Sequence, residues 1–263
     1  MLKISIITVC YNSEKYIEQT IQSVIYQNYK NIEYIIVDGL SKDRTVDIIN
    51  RYRDKVTTFI QGKDKNMYDA INKGMKASTG DYIAILNSDD YLMDADVITK
   101  VANAIDEDGQ RRELYYCNHV VQYMSSGLMK KQRKIQTSFK ELLCSKHLAF
   151  TGHGTGFVSK EVVKEIGYYD CDSFRAAADY DYFLRIFKRG NVKHINVDLE
   201  YFRMHDESIT STGQIDVEKL QVLKNHGYYD IPSYYRKLYF MLGWGKYLFF
   251  NAYYLAKNVI QKL

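Results

Sequence analysis

Proline is almost absent from this sequence, with one in 263 residues (Pro232), and tryptophan is equally scarce (Trp244), so collagen-like repeats and proline-rich linkers are excluded. Cysteine is sparse too. The four present, Cys10, Cys117, Cys144 and Cys171, form no C-x-x-C pair and have no metal-like spacing with the six histidines, which rules out a disulfide-stapled miniprotein. They read as buried free thiols in a reducing compartment. A strong charge of one sign is also lacking. The net charge is +4, and the five Lys/Arg after Asp230 stand without a single acid, leaving 31 basic against 32 acidic residues before them. A nucleic-acid partner, which would ask for a basic stripe on the main body, is therefore not expected. The opening run, Met1 to Asn12, turns polar within a dozen residues and has no small-residue cleavage site, so it reads as a strand and not as a signal peptide.

What is present is an ordinary globular composition, 46% apolar and 26% charged, with material for one large domain. Strand-like runs alternate with helical periods, the pattern of an α/β domain with a mostly parallel central sheet and flanking helices. Strands are expected at Ile4 to Cys10, Ile32 to Val37, Val56 to Ile60, Asp81 to Leu86, Leu114 to Met124, Gly156 to Ser159 and within Val192 to Arg203. Helices are expected after Ile17, over Ser41 to Arg53, Met67 to Ala77, Asp94 to Ile105, Lys160 to Ile166 and from Asp179 to Lys188, with Ser125 to Thr137 a turn or loop. The domain spans 1–230, with a first half to 112 and a second from 113, and Pro232 marks its border with a tail at 231–263.

In open α/β sheets ligands collect at the carboxyl ends of the strands, and polar groups cluster there: Thr8 and Asn12, Asp38, Asp64, then Asp89 and Asp90. Asn12 and Asp43 read first as caps of the helices that follow. Asp89 and Asp90 are harder to explain structurally, because adjacent carboxylates repel unless a cation sits beside them. A divalent ion on a diphosphate is the economical partner, since Mg²⁺ and Mn²⁺ take one or two protein carboxylates and complete their shell with phosphate oxygens and water.

Four strings in order carry a resemblance: Ser5-Ile6-Ile7-Thr8-Val9-Cys10-Tyr11-Asn12; Val37-Asp38-Gly39-Leu40-Ser41-Lys42-Asp43-Arg44-Thr45; Asp64-Lys65-Asn66-Met67-Tyr68-Asp69-Ala70-Ile71-Asn72-Lys73-Gly74; and Ala77-Ser78-Thr79-Gly80 through Asn87-Ser88-Asp89-Asp90. They resemble the inverting family 2 glycosyltransferases of the GT-A fold over roughly residues 3 to 205. The resemblance implies a nucleotide-diphospho-sugar donor, most simply a UDP-sugar, held by Thr8, Asn12, Asp38, Asp64 and Asp89, with Asp90 on Mn²⁺ or Mg²⁺. Asn87 and Asn66 stand where the family often has Asp and Gly. Ala178-Asp179-Tyr180-Asp181 is similar to the segment that opens a helix with the general base, which implies that Asp179 takes the acceptor proton; Asp181 would be surface or supporting. The capping alternative for Asp179 stays open. Arg203-Met204-His205 resembles the Arg-x-His element after the last strand, implying Arg203 at the diphosphate and His205 at the metal. His153, in a glycine-rich stretch that is no dinucleotide loop, is an acceptor-side candidate beside a purely structural role.

From Ser233 onward ten aromatic and five basic residues occur without an acid. That mixture suits an anionic membrane surface at the inner face of the cell membrane, with a packing helix or a homodimer contact as the alternative. Lys246, Asn251 and the Gly243-Trp244-Gly245 break argue against a transmembrane span. The expected enzyme is thus an inverting glycosyltransferase with a glycan or lipid-linked acceptor, in the cytoplasm and peripheral to the membrane. Its rivals are an inactive nucleotide- or glycan-binding module, suggested by Asn87 and Ala178, and a nucleotidyltransferase, whose basic glycine-rich loop is missing.

Overall fold

The computed structural model describes residues 1–145, 153–205 and 214–260. The first half alternates strand and helix: β1 (Ile4–Cys10), α1 (Ile17–Ile25), β2 (Ile32–Asp38), α2 (Thr45–Arg51), β3 (Thr58–Gln61), α3 (Met67–Ala77) and β4 (Tyr82–Ile85). Period-2 alternation divides β1 between two apolar layers: Ile4, Ile6 and Cys10 pack with Ile21 and Val24 of α1, and Ile7 and Val9 pack with Ile71 and Met75 of α3. Both faces of the strand are covered, which is why it reads as one apolar run. Helix α3 lies so close to β1 that a Cβ on Gly74 would meet Ile7 Cγ2 at 2.5 Å. Glycine is required there by contact, at the cost of a weaker helix interior.

The second half contributes β5 (Tyr91–Leu92), α4 (Val97–Asp108), β6 (Leu114–Tyr123), β7 (Met129–Gln132), α5 (Phe139–Ser145), β8 (Gly156–Ser159), α6 (Lys160–Ile166), α7 (Ala178–Phe187), β9 (Val192–Met204), α8 (Gln214–Asn225) and α9 (Ser233–Ile260). One sheet runs in the order β3-β2-β1-β4-β8-β6-β9-β5, with β7 on β6. Strands β1 to β4 are parallel to one another, β8 is antiparallel to both β4 and β6, and β9 returns parallel to β6. Chain order reverses between β1 and β4, so the crevice at their carboxyl ends is a switch point of the kind where ligands sit.

The α/β class is as expected, the sheet is mixed rather than mostly parallel because the second half adds the antiparallel pairings of β8, β7 and β5, and several local readings are corrected. The second helix begins at Thr45 and not at Ser41, because Asp43 makes an Asx-type turn in front of it, accepting from Thr45 N (3.0 Å) and Glu14 N (3.0 Å). Asn66 is extended, with φ −165°, and caps α3 by accepting from Asp69 N at 3.1 Å. The polar stretch after β6 contains β7, whose exposed Met129, Lys130 and Lys131 carry no strand-like alternation. Asp181 is buried, paired with Arg185 Nε (3.0 Å) and His226 Nε2 (2.9 Å), and is not at the surface. Helix α9 continues through Gly243-Trp244-Gly245, and no described helix is long and apolar enough to cross a membrane.

Candidate functional site

At the carboxyl end of β2, Asp38 organises the turn that follows. It is buried, and accepts from Leu40 N (3.1 Å), Ser41 N (3.0 Å), Gln61 Nε2 (3.2 Å) and the Ser41 hydroxyl. These donors fill its lone pairs, so the solvent-accessible part of the turn is Gly39, Leu40 and Ser41. Leu40 takes φ +67°, a strained value for a leucine, held by that hydrogen bond to its own N–H. Asp64 lies beside Gly39 and pairs with Lys73 Nζ at 2.5 Å. Asn12, at φ +51°, joins this turn to the β1 loop: its side-chain oxygen accepts from Lys42 N (2.8 Å) and its N–H donates to Ser41 Oγ (2.9 Å). It caps no helix. Thr8 sits inside the sheet, buried, accepting from Tyr34 Oη at 3.2 Å. A direct ligand contact from Thr8 would need the core to open.

The two carboxylates after β4 are divided by the chain itself. Asn87 to Asp90 form a turn closed by Asp90 N–H donating to the Asn87 carbonyl at 3.1 Å, and the two side chains leave it in different directions. Asp90 points inward, 0% exposed, accepting from Asn87 Nδ2 (2.9 Å) and Arg203 N (2.8 Å). Burial, with the Asp89 and Glu200 charges nearby, pushes its carboxyl well above the usual range. Asp89 points outward, 30% exposed, with Oδ2 at 2.9 Å from Nε2 of His205, which is 17% exposed. Asp90, expected at the metal, has both oxygens hydrogen-bonded and buried, and the reachable pair is Asp89 with His205. No group of three metal-ligating side chains occurs among the described residues. A single carboxylate and an imidazole still fit a hard divalent ion whose other ligands are diphosphate oxygens and water.

Arg203 is also corrected. Rather than reaching toward a diphosphate, it is buried with its guanidinium between the rings of Tyr91 (4.4 Å) and Tyr16 (4.9 Å), donating to the Asp89 carbonyl (2.5 Å) and to Gln19 Oε1. It clamps the loop that bears both carboxylates. Tyr16 in turn stacks on His205, with ring centroids 5.6 Å apart.

Asp179 lies in the first turn of α7, 16% exposed. Tyr68 Oη donates to its Oδ1 at 3.1 Å, and His153 Nδ1 stands 3.9 Å from its Oδ2. The other ring nitrogen of His153 is 2.8 Å from Asn87 Oδ1. Hydrogen bonds therefore link Asp90, Asn87 and His153, and Asp179 faces His153 across 3.9 Å, with Asp89 and His205 at the outer side and the Asp38–Asp64 turn further along the same edge. Beneath His153, Glu200 and Lys134 are buried; burial lifts the Glu200 carboxyl to about 8, against Lys134, and lowers Lys134 to about 7, against Glu200. A Cβ on Gly154 would collide with Glu200 Oε1, which fixes glycine beside His153.

Sequence reasoning missed Tyr68, Asn87 as the central link, Tyr16, and Glu218 of α8. Glu218 accepts from the backbone N–H groups of Arg175, Ala176 and Ala177 just ahead of α7. Tyr68 and Asn87 lie within the quoted strings. No local signal marks Tyr16 or Glu218.

Comparison with known proteins agrees with this geometry. The family model described as Glycosyl transferase family 2 matches residues 5–167. The glucosyltransferase WfaP of Escherichia coli, named for transfer from UDP-Glc to α-D-GlcNAc-diphosphoundecaprenol, is 30% identical over 85% of this chain and 86% of its own length. An uncharacterised glycosyltransferase of Rickettsia typhi is 28% identical over 84% of this chain and 70% of its own. Among solved structures, Staphylococcus aureus TarS 1–349 with UDP-GlcNAc has a TM-score of 0.71 at 17% identity, covering 91% of this chain and 70% of that one. A mannosyltransferase of Pyrobaculum calidifontis with GDP-Man and Mn²⁺ has a TM-score of 0.62 at 15% identity, covering 92% and 74%.

Proposed function

Since the chain belongs to glycosyl transferase family 2, with the GT-A fold, we propose that it transfers a sugar from a UDP-sugar, with inversion, to a hydroxyl of a lipid-linked or surface-polysaccharide glycan. The observation that carries this reading is the placement of an accessible carboxylate–imidazole pair, Asp89 and His205, and a second carboxylate, Asp179, on either side of the hydrogen-bonded Asp90, Asn87 and His153. Single displacement requires that separation of roles: one end holds the leaving diphosphate, and the other takes a proton from the attacking hydroxyl. Asp89 and His205 would hold Mn²⁺ or Mg²⁺, which supplies positive charge where the diphosphate departs. The UDP preference is supported by the donor in the WfaP name and by the UDP-GlcNAc in the TarS structure. The turn of Gly39 to Ser41 with Asp64 would receive the nucleoside, and Asp38 and Asn12 would shape that turn. Asp179 would act as base, oriented by Tyr68.

Helix α9 supports a membrane-surface address. Its side toward the body carries Arg236, Tyr239, Gly243 and Lys246, with Lys246 paired to Glu141 of α5 and Lys140 over Tyr239. Tyr234, Leu238, Met241, Leu242 and Leu248 are exposed on the other. An apolar stripe turned outward, in a tail with no acid, suits anionic lipid. The full chain is expected to float with anionic vesicles and Met241→Glu to float less; a concentration-dependent dimer without flotation would replace the membrane with a second copy.

The donor reading is tested by calorimetric titration of UDP, GDP and dTDP, each with and without Mn²⁺. UDP is expected to bind in a metal-dependent way, to lose that dependence in Asp89→Asn, and to bind Asp179→Asn normally while transfer stops. Binding without release of nucleoside diphosphate from any UDP-sugar in the presence of an acceptor extract would mark an inactive module. Metal-dependent binding that survives Asp89→Asn would return the metal to Asp90.

A further inference from the structure

Tyr201 and Arg203 stand two apart on β9, so their side chains leave the same side of the strand about 6–7 Å from one another, and His205 is next in that row, just past the strand end. Two tyrosines from elsewhere in the chain link the row. Tyr91 of β5, opposite Tyr201 in register, stacks on it with ring centroids 4.8 Å apart and carries the Arg203 guanidinium over its own ring at 4.4 Å. Tyr16, at the start of α1, carries the same guanidinium at 4.9 Å and stacks on the His205 imidazole, with centroids 5.6 Å apart and planes inclined by 29°. Tyr201, Tyr91, Arg203, Tyr16 and His205 thus form one column that begins in the sheet and ends at the site.

That column touches both members of the accessible pair. Arg203 donates to the Asp89 carbonyl, and His205 presents Nε2 to Asp89 Oδ2 at 2.9 Å. Without a neighbour against its face, a part-exposed imidazole beyond a strand end turns freely about both side-chain torsions, and that freedom is lost whenever its nitrogen serves a ligand. Stacking removes the freedom in advance. It fixes the plane of the ring and leaves the nitrogens available at its edge. The guanidinium works the same way at the other end, with rings over its flat faces and hydrogen bonds in its plane.

Resting on the reading of Asp89 and His205 as the pair that holds the divalent ion, we infer that Tyr16 is the positioning residue for His205. It sets the imidazole plane so that Nε2 and the Asp89 carboxylate converge, and it ties that plane to the arginine that holds the Asp89 backbone. The ring does this and the hydroxyl does not, which separates Tyr16→Phe from Tyr16→Leu. Partners that orient a metal-binding side chain contribute roughly 10- to 100-fold in metal affinity. Tyr16 is a single stacking face, so the lower end of that range is expected.

Two readouts test this, and one needs no metal. In full-length protein labelled with ¹³C,¹⁵N-histidine at mildly alkaline pH, the His205 signals are assigned by their loss in His205→Gln. Its carbon-bound ring protons are expected upfield, in the ring current of Tyr16, to stay there in Tyr16→Phe and to return to the free-histidine position in Tyr16→Leu. In calorimetric titrations of UDP with and without Mn²⁺, the gain in affinity that Mn²⁺ confers is expected to fall roughly 10-fold in Tyr16→Leu and to be kept in Tyr16→Phe. Metal-free UDP binding should be the same in all three proteins, and Tyr16→Met replaces Tyr16→Leu if the leucine variant loses it. Unshifted His205 protons in the wild type overturn the inference without any variant. A full Mn²⁺ gain in Tyr16→Leu overturns it too, as does an equal loss in the Phe and Leu variants. Upfield His205 protons in a wild type whose UDP binding does not respond to Mn²⁺ would instead remove the metal reading, and the role of Tyr16 with it, while leaving the stack in place.

Discussion

Glu218 offers the sharpest test of how the base is held. Helix α7 starts at Ala178 behind an N-cap alanine, Ala177, which has no side chain to satisfy the open N–H groups of the first turn. Glu218 of α8 instead fixes the segment leading into that turn: its Oε2 accepts from Arg175 N (3.0 Å), Ala176 N (2.8 Å) and Ala177 N (2.9 Å). In Glu218→Ala the exposed N–H of Arg175 rehydrates at little cost, but those of Ala176 and Ala177 belong to buried residues. Two buried donors without partners cost about 1–3 kcal/mol each, so about 3 kcal/mol in all is a moderate expectation. For a domain of this size that lowers Tm by roughly 6–12 °C. Glu218→Gln keeps an acceptor oxygen and loses the charge, and should fall about halfway. Because Asp179 sits two residues into the same turn, a displacement of ~1 Å would cost up to about 100-fold in kcat with donor KM unchanged. Thermal unfolding followed by circular dichroism and steady-state transfer assays on the three proteins check both halves. An unchanged melting temperature in Glu218→Ala would refute that anchoring. A lower Tm with wild-type kcat would refute its link to the base.

Acid should weaken the junction of β1, β2 and the end of α3 through Glu33. Burial alone would raise its carboxyl, but hydrogen bonds from Lys3, Ser5 and Thr79 outweigh it and take the group from 4.5 to about 2. The folded value is the lower one, so the stabilisation, about 3 kcal/mol, is complete above pH 4.5 and is lost as pH falls toward 2. Urea unfolding of wild type and Glu33→Gln should show a gap at pH 6 that closes toward pH 2; a constant gap would refute it. Gly154→Ala should lose about 1–3 kcal/mol, because the added methyl collides with the buried Glu200 carboxylate. Its transfer rate should fall with its stability, as the collision displaces His153, and a variant that melts like wild type would show that Glu200 can give way. Gly74→Ala should destabilise by a similar amount through Ile7 while leaving donor affinity at the stabilised temperature unchanged.

Legibility followed the range of the interactions. Strands β1, β2 and β4 and helices α1 and α3 are specified by local period, apolar residues being buried on both faces of each of those strands, and the sequence placed them within a few residues. Element β5 has two residues and owes its existence to Tyr201 and Glu200 opposite it. The strand pattern of β7 is hidden because its outward positions are Met129, Lys130 and Lys131 on an edge open to water. Helix α8 has no strongly one-sided apolar face, and its buried contacts come down to Val222 and Leu223. The carboxylates were legible as a set, since each follows a strand end. Their division of labour was not, because the choice of which member of Asp89-Asp90 turns inward is made by Arg203 N, 113 residues further along.

The same reasoning explains why the residues that hold the chemistry in place are harder to read than those that perform it. Asp89, Asp64 and Asp179 stand on loops or helix starts whose backbone is set locally, so a short string marks each of them. Their supports do not share those strings. Arg203 reaches the Asp89 carbonyl from β9, His153 meets Asn87 across 66 residues of chain, and Glu218 reaches the start of α7 from α8. Each support is a polar side chain matched to backbone groups or to a single amide, and such matching has no period and no composition. What it does have is a physical signature once the fold is known: buried donors that would otherwise be orphaned.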